Sequence, residues 1–191
     1  MNKNILLDRL PQYTQSGLRI RSDFRESIKF ELLMQDNKLD KQSKVIQALR
    51  LYYYDLSKIN DVKQAINEIL WFYTCGKIEK QTSQKNKEEK EIKQIYSYEF
   101  DDEYIYSAFM EQYKIDLNSI KYLHWWKFKA LMNSLNDNTQ FVKIMGYRSI
   151  DLAKIKDKDM KANYKKLKKQ YALPDMRTEQ QKEADFGKAF W

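Results

Sequence analysis

The chain has 191 residues, of which 42% are hydrophobic and 32% are charged, and its formal net charge is +8. This length predicts one domain with a sizeable core, and the composition excludes a largely disordered chain. The single cysteine and the single histidine exclude an internal disulfide and a usual zinc site. Four glycines and two prolines disfavour a turn-rich β fold, and no apolar run approaches the roughly 18 residues of a membrane helix.

The N-terminal part is predicted to contain a short hairpin and three helices. Alternating residues around the pair Ser16-Gly17 predict a small hairpin or an extended arm. Three stretches with apolar residues at helical spacing follow typical N-cap residues, which are Ser22 or Asp23, Asp40, and Asn60 or Asp61. We expect a helix after each of them, and Gly76 is the expected terminator of the third.

Residues 77–94 differ sharply in composition from the sequence on either side. They are almost entirely charged or polar, with two isolated isoleucines and no aromatic residue. Such a segment has too little apolar surface to bury itself. We interpret it as a charged linker or a charged helical extension.

The second half predicts four more helices. Asp101 and Asp102 precede a helix that reaches about Tyr113, after a short extended lead-in at residues 95–100. Residues 116–135 predict a central helix, residues 139–146 a short one and residues 151–173 a long one. The predicted fold is all-α, a compact bundle of about six or seven helices with a small N-terminal β-hairpin. Residues 1–76 and 95–174 form one domain, joined by the linker at 77–94, and residues 175–191 form a tail.

The residues that could carry out chemistry are few and isolated. His124 has no nucleophile at a recognisable spacing, and Cys75 follows an aromatic cluster at a helix end, so we interpret both as structural. The pair Asp101-Asp102 suits a helix start, and Asp157 with Asp159 lacks the glycine and glutamate of a calcium loop. We therefore expect no enzyme, no metal site and no cofactor.

Most of the positive charge is concentrated near the end of the chain. Residues 154–169 contain only two acids and eight lysines, which are Lys154, Lys156, Lys158, Lys161, Lys165, Lys166, Lys168 and Lys169. Such a stripe can neutralise phosphates. A solvated helix face is the favoured interpretation, because arginine is scarce and no nucleic-acid motif accompanies the lysines.

Aromatic residues, 14% of the chain, are the most unusual feature of its composition. Exposed tyrosine and tryptophan are common interface anchors. In a continuous helix over residues 116–135, the two tryptophans would lie on opposite sides of one core stripe, so at least one should be partly exposed or at the edge of a groove. The predicted partner-binding residues are therefore Trp71, Tyr73, Trp125 and Trp126.

Several stretches of the chain resemble a bacteriophage family named after gene product fifteen, found among the tail genes of long-tailed phages. The longest are Ile69-Leu70-Trp71-Phe72-Tyr73-Thr74-Cys75-Gly76 and Tyr122-Leu123-His124-Trp125-Trp126-Lys127-Phe128. Shorter ones lie at residues 7–11, 23–25, 96–101, 104–109, 146–148, 155–158 and 171–174. The resemblance runs from about residue 6 to residue 174.

This resemblance implies a tail assembly chaperone, because genes of the family lie just before the tape-measure gene. The expected client is the hydrophobic tape-measure protein, bound in the host cell cytoplasm until tail-tube subunits polymerise around it. The tail-tube protein, a second chaperone half made by frameshifting, and a second copy of the chain are further expected partners. No membrane is expected as a partner.

Two other functions remain open from the sequence. The first is a structural tail or connector component of the virion. The second, less favoured, is a nucleic-acid-binding regulator that uses the lysine stripe between residues 154 and 169.

Overall fold

The computed structural model describes residues 4–77 and 94–175, and these ranges form an all-α fold. Their α-helices are α1 (Phe24–Gln35), α2 (Lys41–Tyr52), α3 (Val62–Tyr73), α4 (Asp102–Tyr113), α5 (Trp125–Asn133), α6 (Gln140–Ser149) and α7 (Lys158–Gln170). Short 3-10 turns lie at Leu56–Lys58 and Leu152–Lys154. The predicted all-α class is confirmed. No helix within the described ranges is long and apolar enough to span a bilayer.

The first three helices begin where their caps predict. The carboxylates of Asp23, Asp40 and Asp61 each accept a hydrogen bond from a backbone N–H in the first turn of α1, α2 and α3. Thr139 does the same for α6. These caps occupy backbone donors that a helix start would otherwise leave without partners.

An aromatic core holds the helices together. α1 packs on α2 and α5, α2 packs on α3, and α6 lies against both α4 and α7. Phe128 of α5 is at the centre, with ring centroids 4.8 Å from Phe24, 5.1 Å from Phe109 and 5.7 Å from Trp125. Stacked and edge-on rings of this kind add to the stability that burial alone provides.

The helix predicted over residues 116–135 is wrong in its first half, since α5 begins only at Trp125. The preceding segment pairs with the start of α1 instead. The Trp125 N–H donates to the Ser22 carbonyl at 2.8 Å, and the Phe24 N–H donates to the Leu123 carbonyl at 2.9 Å. The Leu123 N–H also donates to the Asp23 carboxylate at 3.1 Å. These bonds hold residues 122–124 extended, although their apolar spacing favours a helix.

The long helix predicted over residues 151–173 is divided. Asp151 caps the 3-10 turn and Asp157 caps α7, each through its own side chain. Two capping aspartates six residues apart start two separate elements rather than one.

The predicted hairpin is reduced to isolated bridges, and the described ranges contain no β-strand. Tyr13 pairs with Arg19 and Ile20 pairs with Tyr53, both antiparallel. Gly17 adopts φ 81°, which closes the turn between the first pair. The predicted extended lead-in at residues 95–100 ends in a turn. All of the predicted linker except Lys77 and Gln94, and all of the tail except Asp175, lie outside the described residues, so the domain division stays a prediction.

Asp101 does not cap α4 with its side chain, contrary to expectation. Its carboxylate is fully buried and pairs with Arg148 of α6 at 2.6 and 2.8 Å. It also accepts the Ser97 N–H at 2.9 Å. The Arg148 guanidinium donates further to the carbonyls of Ile95 at 3.1 Å and Tyr171 at 2.6 Å. This Arg148 brace therefore joins α6 to the start of α4, to the chain leading into α4 and to the end of α7.

Candidate partner-binding surfaces

The N-terminal arm, residues 4–22, is held against α3 by a buried carboxylate. Glu68 is 5% exposed and accepts hydrogen bonds from the backbone N–H and the hydroxyl of Ser16, both at 2.8 Å. The Tyr53 hydroxyl also donates to Glu68, at 3.3 Å. Burial and the Glu68 charge raise the pKa of Tyr53, so its hydroxyl keeps its proton and remains a donor. The turn of the arm is thus fixed to Glu68, which lies 52 positions after Ser16 in the sequence.

His124 fixes the arm at a second point. Its Nδ1 accepts the Trp126 N–H at 3.1 Å and so caps α5. The other ring nitrogen, Nε2, then carries the proton and donates to the Pro11 carbonyl at 3.0 Å. Burial lowers the pKa of His124, which keeps the ring neutral. His124 is thus packed in the core, 3% exposed, as the sequence predicts.

The His124→Asn variant should lose less stability than the wild type when the pH is lowered. The unfolded imidazole takes up a proton below about pH 6.5, but the folded ring has a lower pKa, so native stability is lost as the pH falls below that value. Asparagine caps a helix without titrating. Melting temperatures measured from pH 7 to pH 5 should fall further for the wild type than for the variant. Parallel curves would show that His124 carries no pH-dependent stability.

An open groove of about 1180 Å³ lies between this arm, α3 and the start of α5. We call it the arm groove. Its aromatic lining comes from Tyr13, Trp71 and Tyr122, and the aliphatic lining includes Leu10 and Pro11. Tyr13 is 56% exposed and Tyr122 is 47% exposed. The groove offers large apolar side chains to a partner while its backbone stays fixed by Glu68 and His124.

The expectation that at least one of Trp125 and Trp126 is partly exposed or at the edge of a groove is wrong. Their exposed fractions are 0% and 3%, since both lie in the first turn of α5 and point at the end of α3. The Trp125 indole N–H donates to the Tyr73 carbonyl and the Trp126 indole N–H donates to the Phe72 carbonyl, both at 2.8 Å. These two tryptophans thus bond carbonyls at the α3 C-terminus, and the Phe72 carbonyl also accepts the Cys75 N–H at 3.0 Å.

The other two predicted contact residues are half-buried. Tyr73 stacks on Trp125 and donates its hydroxyl to Glu31, so its ring faces the core. Trp71 packs edge-on against Trp126 with ring centroids 5.6 Å apart, and it also lines the arm groove. Of the four predicted contact residues, Trp71 is the one that lies in this groove.

Cys75 and Gly76 terminate α3 in the left-handed conformation, with φ 58° and 70°. Burial raises the pKa of the Cys75 thiol, the opposite of what a reactive cysteine needs. A Cβ on Gly76 would lie 3.0 Å from the Trp126 ring. The end of α3 therefore packs closely against the Trp126 ring of α5. In the described part of the chain, no group of three or more acidic, histidine or cysteine side chains is arranged to hold a metal ion.

The predicted lysine stripe is partly organised by α7. At about 100° per residue, Lys158, Lys161, Lys165, Lys168 and Lys169 fall within an arc of about 100° along this helix. The remaining lysines lie elsewhere, Lys166 on another side of α7 and Lys154 and Lys156 before the helix. The helix is held to α6 through Tyr164 and through Tyr171 at its C-terminal cap, which both contact Tyr147. The lysine arc, apart from a 2.5 Å bond from Lys168 to the Ile150 carbonyl, faces solvent.

Comparison with known proteins places the chain in a phage family. No curated protein and no solved structure matches it. The model of a family described as "Bacteriophage Gp15 protein" matches residues 6–173. The matched range covers the seven described helices, the Arg148 brace and the lining of the arm groove except Ile5. The chain is therefore a bacteriophage protein and belongs to the Gp15 family.

Proposed function

We propose that this phage protein is a tail assembly chaperone that binds the tape-measure protein before the tail tube polymerises. Its family and the resemblance of its sequence to products encoded beside the tape-measure gene support the role. The observation that carries the proposal is the arm groove, whose aromatic walls suit a hydrophobic client. In this role the protein is not an enzyme and works in the host cytoplasm.

The shape and lining of the arm groove favour an amphipathic helix as the bound segment. A tape-measure chain presents helices with an apolar stripe that nothing covers until the tube forms. Such a stripe binds through side chains that recur every three or four residues and enter an apolar groove. Trp71, Tyr122 and Tyr13 supply anchors of the type that dominate interface energies. Leu6 and Leu7, 88% and 84% exposed, add apolar surface on the arm.

An arm groove that is already ordered and has few anchor residues also suits release of the client. The arm is already held by Glu68 and His124 in the free chain, so we expect binding to cost little ordering of the chaperone. Many copies bound along one long client would hold it tightly through multivalency. Each copy could still be displaced singly by an incoming tube subunit.

The role is tested by co-expression with the tape-measure protein and a pull-down on the Gp15-family chain. Tyr13→Ala and Trp71→Ala should each weaken capture by about 2 kcal/mol, or roughly 30-fold, as expected for an aromatic anchor. Tyr54→Ala is the matched control, because Tyr54 is 54% exposed, close to the 56% of Tyr13, and does not line the groove. The control should capture the client as the wild type does.

Two results would contradict this proposal. If the wild-type chain captures no tape-measure protein and is abundant by mass spectrometry in purified virions, it is a structural tail component. If capture occurs but Tyr13→Ala and Trp71→Ala both retain it fully, the client binds elsewhere. Melting curves of each variant show whether the loss of Trp71 beside Trp126 has altered the fold.

A further inference from the structure

Charge is divided between two separate surfaces of the chain. Between residues 99 and 116 there are six acidic residues and one lysine. Between residues 154 and 169 there are eight lysines and two acids. Asp101 is buried against Arg148, so it does not contribute to the negative surface. Five acids of the first segment and the lysine arc of α7 remain as opposite charges on one molecule.

The acidic segment borders a second apolar cavity, which we call the α4 groove. It encloses about 630 Å³ and is lined by Tyr106, Leu117 and Ile28, with Asp102 and Glu103 among its polar residues. Tyr106 is 37% exposed. The negative charge of Asp116 raises the pKa of Tyr106, so the hydroxyl of this ring keeps its proton. The α4 groove is thus an apolar trough with an acidic rim.

Within one chain the lysine arc and the α4 groove are kept apart. α4 packs on α6, and α6 in turn packs on α7. α7 uses Tyr164, together with its C-terminal cap Tyr171, for that contact. Lys168 of the lysine arc reaches the Ile150 carbonyl at the C-cap of α6, and the other four lysines of the arc are exposed. In the described ranges no lysine of the arc forms an ion pair with Asp102 or Glu103, so both charged surfaces can attract a second molecule.

We propose that the lysine arc of α7 in one copy docks in the α4 groove of a second copy. Lysine side chains can lay their methylene stems on apolar surface while the ammonium groups reach carboxylates at its edge. The Tyr106 ring also offers a face to a cation. The α4 residues that line the groove, 102–107, rise about 8 Å along the helix, so the groove faces about half of the roughly 16 Å arc at one time.

The contact joins two different surfaces, so each copy keeps a free α4 groove at one end and a free lysine arc at the other. Contacts of this head-to-tail kind form rings or open filaments rather than simple dimers. A nucleic acid would account for the lysine arc but not for the acidic groove. A second copy accounts for both, and this favours self-association.

The test is a charge exchange on the full chain, followed by sedimentation velocity. One variant carries Lys161→Glu and Lys165→Glu, and the other carries Asp102→Lys and Glu103→Lys. The wild type should associate increasingly with concentration at about 0.1 M salt and dissociate at about 1 M, where the Debye length falls to roughly 3 Å. Each variant alone should associate at least about 100-fold more weakly, because like charges then face each other. An equimolar mixture of the two variants should associate again.

A Lys41→Glu/Lys63→Glu variant is the matched control, since it changes the net charge equally at exposed lysines of α2 and α3. It should associate as the wild type does. The proposal is overturned if the wild type stays monomeric at low salt, or if the mixture of exchanged variants does not associate. It is also overturned if the Lys161→Glu/Lys165→Glu change abolishes a gel shift of duplex DNA while self-association persists. No tape-measure protein enters the experiment, so its result is independent of the chaperone role.

Discussion

Arg148→Met should destabilise the fold by about 3–5 kcal/mol, because it leaves the Asp101 carboxylate buried without its partner. The substitution also removes the donors to the Ile95 and Tyr171 carbonyls. For a protein of this size we expect the melting temperature to fall by on the order of 10 °C. Urea unfolding followed by far-UV circular dichroism measures the change.

Two further variants separate the charge pair from the rest of the Arg148 brace. Arg148→Lys keeps the charge but loses the planar fork that reaches both carboxylate oxygens, so it should recover only part of the stability. Asp101→Asn combined with Arg148→Met should be less harmful than Arg148→Met alone, since no unpaired charge remains. If the double variant is the least stable of the three, the carboxylate is not the source of the cost.

Trp125→Ala should cost about 3–5 kcal/mol, comparable to the loss of Arg148. The Trp125 indole is fully buried, stacks on Tyr73 and Phe128, and bonds the Tyr73 carbonyl. Its removal leaves a cavity and an unpaired carbonyl at the end of α3. Trp71→Ala is the comparison, and it should cost less because Trp71 is only half-buried. Equal losses in the two variants would mean that Trp125 is not a core residue.

The predicted elements that proved correct are those determined by neighbouring residues. Asp23, Asp40 and Asp61 each bind a backbone N–H two or three residues ahead, so the start of each helix can be read from a short stretch of sequence. The α7 lysine arc likewise follows from spacing alone once the helix is known. Both depend on contacts within one or two helical turns.

The errors have the opposite origin, because they depend on residues far apart in sequence. The start of α5 is set by the hydrogen bond from the Trp125 N–H to the Ser22 carbonyl, about 100 positions away. The apolar periodicity of the residues before Trp125 wrongly predicts that the helix begins earlier. Once that start is known, the burial of both tryptophans follows. The Arg148 pair with Asp101 and the Ser16 contact with Glu68 are equally non-local. The arm groove is lined by residues near position 10, position 71 and position 124, so no single motif could indicate it.

The Arg148 brace has a consequence for how the family can vary. The chain before residue 78 is fixed where the Gly76 N–H meets the Trp71 carbonyl, and the chain after residue 93 is fixed where Arg148 holds the Ile95 carbonyl. Each end of the stretch 78–93 is thus held by described residues on its own side. We therefore expect the arm groove and the α4 groove to keep their described walls when the length or charge of this stretch is changed.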